Sequence, residues 1–253
     1  MREFYIQDDG IRLHAKLDIP EGVSEESGKC PLCIVIHGLT GHMEETHIIG
    51  ASKALNEEGI ATLRVEMYGH GKSEGDFAKH TLYKWLGNAM TVTDYAKALP
   101  FVTDLYVMGH SQGGLTTMLL AGLKPDDFKA IIPLSPAIMI VKGAKKGAFL
   151  GLSFDPEHVP DRMSLGGPNW LDGNYMRVAQ TIDLDLAISK YHGPVLFVHG
   201  TADEACPIED SMEAAAKYDN ARLVKIDGDD HCYTRHLDKV LDALHAFARA
   251  GMR

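Results

Sequence analysis

The sequence predicts an α/β fold, a mostly parallel sheet of eight strands with helices on both faces. Three observations carry that expectation. Short apolar runs recur along the chain, "CPLCIVIHG", "ATLRVEM", "LYVMGH", "AIIPLS", "PVLFVHG" and "ARLVKI", which is how strands buried on both faces of a parallel sheet read. Helical patterns separate these runs, and strands alternating with helices build a sheet covered on each side. The chain has 253 residues, 45% of them hydrophobic, enough to bury one large core without internal repeats or low-complexity tracts.

The elements follow in order. Residues 2–7 and 11–19 are expected to pair across Asp8-Asp9-Gly10. In the second of these, Ile11, Leu13, Ala15, Leu17 and Ile19 alternate with Arg12, His14, Lys16 and Asp18, the period-two pattern of a half-exposed antiparallel strand. The polar stretch 21–29 reads as a loop, and the buried runs begin at Cys30. Residues 46–58 form a helix closed by Gly59. Residues 82–99 set Trp85, Leu86, Ala89, Met90, Val92 and Ala96 on one apolar stripe and stop at Pro100. The tail, 234–249, spaces Leu237, Val240, Leu241, Leu244, Phe247 and Ala248 as one helical face.

One interval is too long. Between "AIIPLSPA" and "PVLFVHG" run 56 residues, Ile138 to Gly193, where a parallel crossover needs only about a dozen. The surplus carries Gly143, Gly147, Gly151, Gly166, Gly167 and Gly173 and a few helix-like turns such as "YMRVAQTI". It is expected to fold as a small lid, at about 138–193 of a single domain spanning 1–253. Its place is over the carboxyl edge of the sheet, where open α/β folds bind ligands.

Charge and cysteines narrow the partners. A net charge of −10 argues against nucleic acid and anionic membranes. No apolar run reaches the ~18 residues of a membrane span, and "MREFYIQDDG" does not read as a signal peptide, so a cytoplasmic location is expected. Cys30, Cys33, Cys206 and Cys232 fit reduced thiols. Cys30-x-x-Cys33 lacks a second close pair, and none of the 13 histidines stands in the i, i+4 pairing with a glutamate that a helical zinc site uses. No metal is expected.

The chemistry is carried by Gly109-His110-Ser111-Gln112-Gly113. It fits G-x-S-x-G between a strand and a helix, a context that lifts the serine onto a sharp, strained turn with its Oγ exposed. A serine needs a base to take its proton, and the base needs a carboxylate to hold it. The expected chain order is serine, acid, histidine, each on a loop after a strand. Asp203 follows "PVLFVHGTA" and His231 follows "ARLVKIDGDD", so these are the candidate acid and base. Glu204, Asp229 and Asp230 read as solvated loop charges, and His236 and His245 as surface or packing residues of the last helix. The negative oxygen formed during acyl transfer needs backbone N–H donors. Gln112, after the nucleophile, supplies one; Leu39, in His37-Gly38-Leu39-Thr40-Gly41 after the first buried strand, supplies the other.

These placements resemble the α/β-hydrolase superfamily over nearly the whole chain. "EMYGHGKSEG" is similar to its D-x-x-G-H-G-x-S loop, with Glu66 where aspartate is usual. Within the superfamily the chain most resembles bacterial cinnamoyl (feruloyl) esterases, on "HGLTGHMEE", "GHSQGG", "FDPEHVPDR", "GNYMRVAQTI" and "GDDHCY". The resemblance implies a serine carboxylesterase for feruloyl, caffeoyl and p-coumaroyl esters, working without a cofactor on a small aromatic ester. It also implies a lid wall for an aromatic pocket, with Tyr175 touching the phenolic ring; Trp170, set among the lid glycines, is a second candidate. At 142–152 the match weakens, and Ala148 and Leu150 stand where some relatives carry polar residues for the ring hydroxyls. Two alternatives stay open, a lipase-like esterase or thioesterase for acyl chains, and a non-catalytic small-molecule receptor on the same scaffold. A homodimer is left open as well.

Overall fold

The computed structural model describes residues 1–26, 28–166 and 169–252; Gly167 of the glycine-rich stretch lies outside the described residues. The first half of the chain runs β1 (Arg2–Asp8), β2 (Ile11–Asp18), β3 (Cys30–Ile36), α1 (Thr46–Glu57), β4 (Ala61–Val65), a 3-10 turn (Phe77–Lys79), α2 (Leu82–Lys97), β5 (Val102–His110), α3 (Gln112–Leu123) and β6 (Phe128–Leu134). The inserted stretch holds α4 (Met139–Lys146), β7 (Ala148–Phe149), β8 (Leu152–Ser153), β9 (Arg162–Ser164), β10 (Trp170–Asp172), α5 (Asn174–Thr181) and α6 (Leu184–Lys190). The chain ends with β11 (Val195–Gly200), α7 (Ile208–Ala215), β12 (Ala221–Ile226) and α8 (Leu237–Arg249).

Eight strands form one sheet in the order β1-β2-β4-β3-β5-β6-β11-β12. The β1–β2 hairpin turns through Asp9 (φ 22°) and Gly10 (φ 81°), and β2 pairs antiparallel with both β1 and β4 while the pairs from β4 to β12 are parallel. Alternation along the buried strands sends neighbouring residues to opposite faces. Leu32, Ile34, Val107, Ile131 and Phe197 meet α2, α3, α6 and α7 on one side. Cys33, Val35, Met108, Ile132 and Val198 meet α1 and α8 on the other. This two-sided burial is why the runs read as continuously apolar. β2 departs from its expected half-exposed pattern at His14, which is buried and bonded to Glu66 (2.8 Å) and Glu3 (2.6 Å). The Glu66 carboxylate also accepts from the Lys72 N–H at 2.6 Å, pinning the 66–75 loop.

The inserted stretch is more regular than its glycines suggest: three helices and two short hairpins, β7–β8 and β9–β10. It makes its own core with Leu115 and Leu119 of α3, from Ile140, Phe149, Leu171, Tyr175 and Met176. No helix among the described residues is long and apolar enough to cross a membrane.

Candidate active site

Four loops at the carboxyl ends of β3, β5, β11 and β12 carry the sequence-predicted residues: Leu39, Ser111, Asp203 and His231. β5 ends at His110 and α3 begins at Gln112, leaving Ser111 on the turn with φ 56° and ψ −121°. A residue with a Cβ resists that conformation by about 1–3 kcal/mol, so its surroundings must impose it. They do so on both sides of the peptide. The Ser111 N–H donates to the Leu134 carbonyl (2.9 Å), and the Ser111 carbonyl accepts from Leu115 (3.1 Å) and Ala137 (2.9 Å). The flanking glycines are needed for space. A Cβ on Gly109 would collide with the Gly113 carbonyl, and one on Gly113 with the carbonyls of Ile36 and His37.

Asp203 and His231 are brought together. Asp203 Oδ2 lies 2.7 Å from His231 Nδ1, and the carboxylate is fully enclosed while the imidazole keeps 20% exposure. Its Oδ1 accepts from the N–H groups of Ala205 (2.9 Å) and Cys206 (2.8 Å). Burial alone would raise the Asp203 pKa, but hydrogen bonds from His199 and His231 outweigh it and hold the carboxyl well below the usual range. His199 is a partner the sequence reading missed. It is completely buried, its Nε2 lies 3.1 Å from Asp203 Oδ2, and its Nδ1 lies 2.8 Å from Ser211 Oγ. Its only signal in sequence is a histidine inside an apolar strand run. The His231 loop is also braced differently from expectation. Asp229 is buried rather than solvated, and accepts from the N–H groups of Asp230 (3.0 Å), Arg235 (3.1 Å) and His236 (3.2 Å). His110, between Gly109 and Ser111, donates from Nε2 to the His231 carbonyl at 2.8 Å.

The geometry around Leu39 follows from two more buried histidines. Gly38 runs against the serine, so that a Cβ there would lie 3.0 Å from Ser111 Cβ and 3.5 Å from its Oγ. His37 Nε2 accepts from the Met67 N–H (3.1 Å), which leaves the proton on Nδ1 to donate to the Gly38 carbonyl at 2.7 Å. In a trans peptide the carbonyl and the next N–H point oppositely, so pinning the Gly38 carbonyl aims the Leu39 N–H the other way. His70 accepts from the Thr40 N–H (3.2 Å) and donates to the Tyr68 carbonyl (2.9 Å). Burial pushes His37 down to about 3 and His70 to about 4, so both stay neutral, as an accepting ring nitrogen must. Gln112 opens α3, where an N–H has no partner within the helix, and its side chain is wholly buried.

Beside Ser111 lies a cavity of about 220 Å³ walled by Leu39, Met139, Ile140, Phe149, Leu150, Leu165, Cys206 and His231. Tyr175 and Trp170 do not line it, which corrects the expected ring contacts. Tyr175 is fully buried on the inner face of α5. Its ring packs on His80 (4.9 Å between centroids) and Phe149 (5.6 Å), and its hydroxyl donates to Gln112 Oε1 at 2.5 Å. A phenol buried this deeply takes a protein acceptor instead of a ligand. Trp170 is 42% exposed on β10, beneath the Arg162 guanidinium at 5.3 Å. The apolar wall comes instead from Phe149 and Leu150 with Met139, Ile140 and Leu165.

A family model described as "Serine aminopeptidase, S33" matches residues 29–164, more than half of the chain, and one described as "TAP-like protein" matches 174–252. Est1E from Butyrivibrio proteoclasticus, solved with ferulic acid bound, is 54% identical, with a TM-score of 0.95 and 98% of each chain covered. The chain belongs to the α/β-hydrolase family. Among curated α/β hydrolases it is similar to the mitochondrial palmitoyl-protein thioesterase ABHD10 of Homo sapiens, 24% identical over 193 residues, 74% of this chain. The chain spans 62% of that relative's length. XC6422 from Xanthomonas campestris, a serine hydrolase without a lid, shares the fold at a TM-score of 0.71 and 18% identity.

Proposed function

We propose that the protein is a serine carboxylesterase that hydrolyses hydroxycinnamate esters, feruloyl, caffeoyl or p-coumaroyl, through an acyl-enzyme intermediate. The observation that carries this reading is the 54% identity, across 98% of both chains, to a protein solved with ferulic acid in place. Asp203 keeps the His231 Nδ1 proton occupied, so Nε2 is the base. It takes the Ser111 proton as Oγ attacks the ester carbonyl. The N–H groups of Leu39 and Gln112 receive the negative oxygen. His231 then passes its proton to the departing alcohol, and water repeats the sequence on the acyl-enzyme.

The cavity supports a compact acid group. At about 220 Å³ it is smaller than the ~300–1,000 Å³ of ordinary ligand pockets, and its apolar wall suits a single ring on a short linker. An adjoining open cleft of about 710 Å³ shares Met139, Phe149 and Leu150 and adds Lys142, Lys146 and Glu204, an apolar surface with charged groups at hand for the alcohol half. The free thiols at Cys30, Cys33, Cys206 and Cys232 support a reducing, cytoplasmic setting.

A second reading, a thioesterase for long acyl chains, draws on the similarity to ABHD10. Steady-state hydrolysis of methyl ferulate, methyl caffeate, p-nitrophenyl octanoate and a palmitoyl thioester separates the two. We expect kcat/KM to be highest for the ferulate and caffeate esters. A preference for octanoyl or palmitoyl groups would replace the first reading with the second.

A further inference from the structure

We propose that Cys206, His231 and Asp203 form a latent site for a soft divalent cation, zinc or cadmium, whose occupation switches the enzyme off. One donor atom from each of the three lies within 4.8 Å of the other two. Thiolate, imidazole and carboxylate are the donor set that such ions select. Cys206 is only 3% exposed, yet it faces the cavity together with Ser111 and His231. An ion therefore has a route in from the cavity, and the cavity leaves a fourth coordination position open to water.

Much of the site is already assembled. The Cys206 N–H is bonded to Asp203 Oδ1 at 2.8 Å and its carbonyl to His199 Nε2 at 3.0 Å, so thiol and carboxylate sit on one rigid turn. A tetrahedral ion with bonds of about 2.0–2.3 Å spaces its ligands about 3.3–3.8 Å apart. Drawing the wider pairs in by up to roughly 1 Å and parting the 2.7 Å Asp203–His231 pair to about 3.3 Å, both within the reach of a side-chain rotation, completes the coordination. The ion takes the thiolate, and the thiol proton leaves to solvent. It takes His231 through Nδ1, the nitrogen facing Asp203, and the Nδ1 proton moves by way of water to Nε2. The nitrogen that must accept the serine proton is then occupied, so binding and ester turnover exclude each other. Cys206 contributes nothing else to the proposed chemistry.

The coordination itself is tested without relying on the ester reading. In the Ser111→Ala chain, adding cadmium should produce a thiolate-to-metal charge-transfer absorbance, and cobalt the visible spectrum of a tetrahedral site. Both should vanish in Ser111→Ala/Cys206→Ala and persist in Ser111→Ala/Cys232→Ser. Cys206→Ser keeps nearly the same volume and stands in should Cys206→Ala fold poorly. With the unmodified enzyme and its best ester, zinc at ten times its dissociation constant should raise the apparent KM roughly tenfold by simple mass action, and a chelator should restore it. Each Cys206 variant, compared with itself with and without zinc, should show no such rise. Absence of the bands, or their survival without Cys206, overturns the site. Bands without inhibition overturn the switch alone, and inhibition that disappears in Cys232→Ser moves the ligand to the neighbouring exposed thiol.

Discussion

Ser111 stands at φ 56° because hydrogen bonds to Leu134, Leu115 and Ala137 hold its peptide on both sides. Glycine meets no Cβ resistance there. Ser111→Gly should therefore abolish ester hydrolysis, by roughly ten-thousandfold or more, while making the fold firmer by about 1 kcal/mol. In a chain of this size that is about 2–4 °C in Tm. Circular dichroism melts of the two proteins check the second half; a lower Tm in the glycine variant would mean that the turn is unstrained. The meeting of Ser111, Asp203, His231, Leu39 and Gln112 at one edge of the sheet was legible in sequence because the motif, the chain order and the strand ends all constrain the same loops. His199, His37 and His70 were not. Each is one histidine near or inside an apolar run, and only the folded backbone brings its ring to Asp203, Gly38 or Thr40.

At the scale of elements, the main strands and longer helices were legible from period and length, since two-sided burial and an amphipathic stripe leave strong patterns. The insertion was legible as an excess of residues but not as three helices and two hairpins. Elements of two to eight residues carry too few apolar positions to declare a period. Tyr175 shows the consequence. From sequence its ring sits beside glycines in a segment facing the ligand edge. In the fold, α5 turns it inward, and its hydroxyl ties the insertion to Gln112 at the start of α3. Tyr175→Phe removes that bond and leaves the buried Gln112 oxygen unsatisfied, costing about 1–3 kcal/mol of stability. The bond supports the helix start whose first N–H is the proposed oxyanion donor. Methyl ferulate and p-nitrophenyl acetate should therefore lose kcat by similar factors. A loss confined to the ferulate ester would return Tyr175 to the substrate pocket.

The whole molecule carries an unusual load of neutral, buried histidine. Burial holds His37 and His80 at about 3 and His47 and His70 at about 4, and drives His110 well below its ordinary value. The unfolded chain takes up protons on these rings near pH ~6.5 while the fold does not. Their contribution is whole above that pH and shrinks as the pH falls towards 4, by up to about 1.4 kcal/mol per pH unit for each ring. Asp203, with its depressed carboxyl, adds a loss of the same sign below the ordinary carboxylate range. Urea midpoints should thus be level above pH 7 and drop steeply between pH 6.5 and 4.5. A flat profile there would mean that the rings accept protons inside the fold. The position of β12 has a different consequence. It is the last strand of the sheet, bonded on one side to β11, and only Ile226 of its residues is fully buried. The loop that follows it carries His231, the proposed base, while Ser111, the proposed nucleophile, stands on the turn after the central β5. Heat should release such an edge before the centre, so esterase activity should disappear at a lower temperature than the far-ultraviolet signal. The catalyst would then lie dormant in a chain that is still largely folded, and cooling from that range should restore turnover at the rate of strand re-docking, without the slower steps of building the sheet anew.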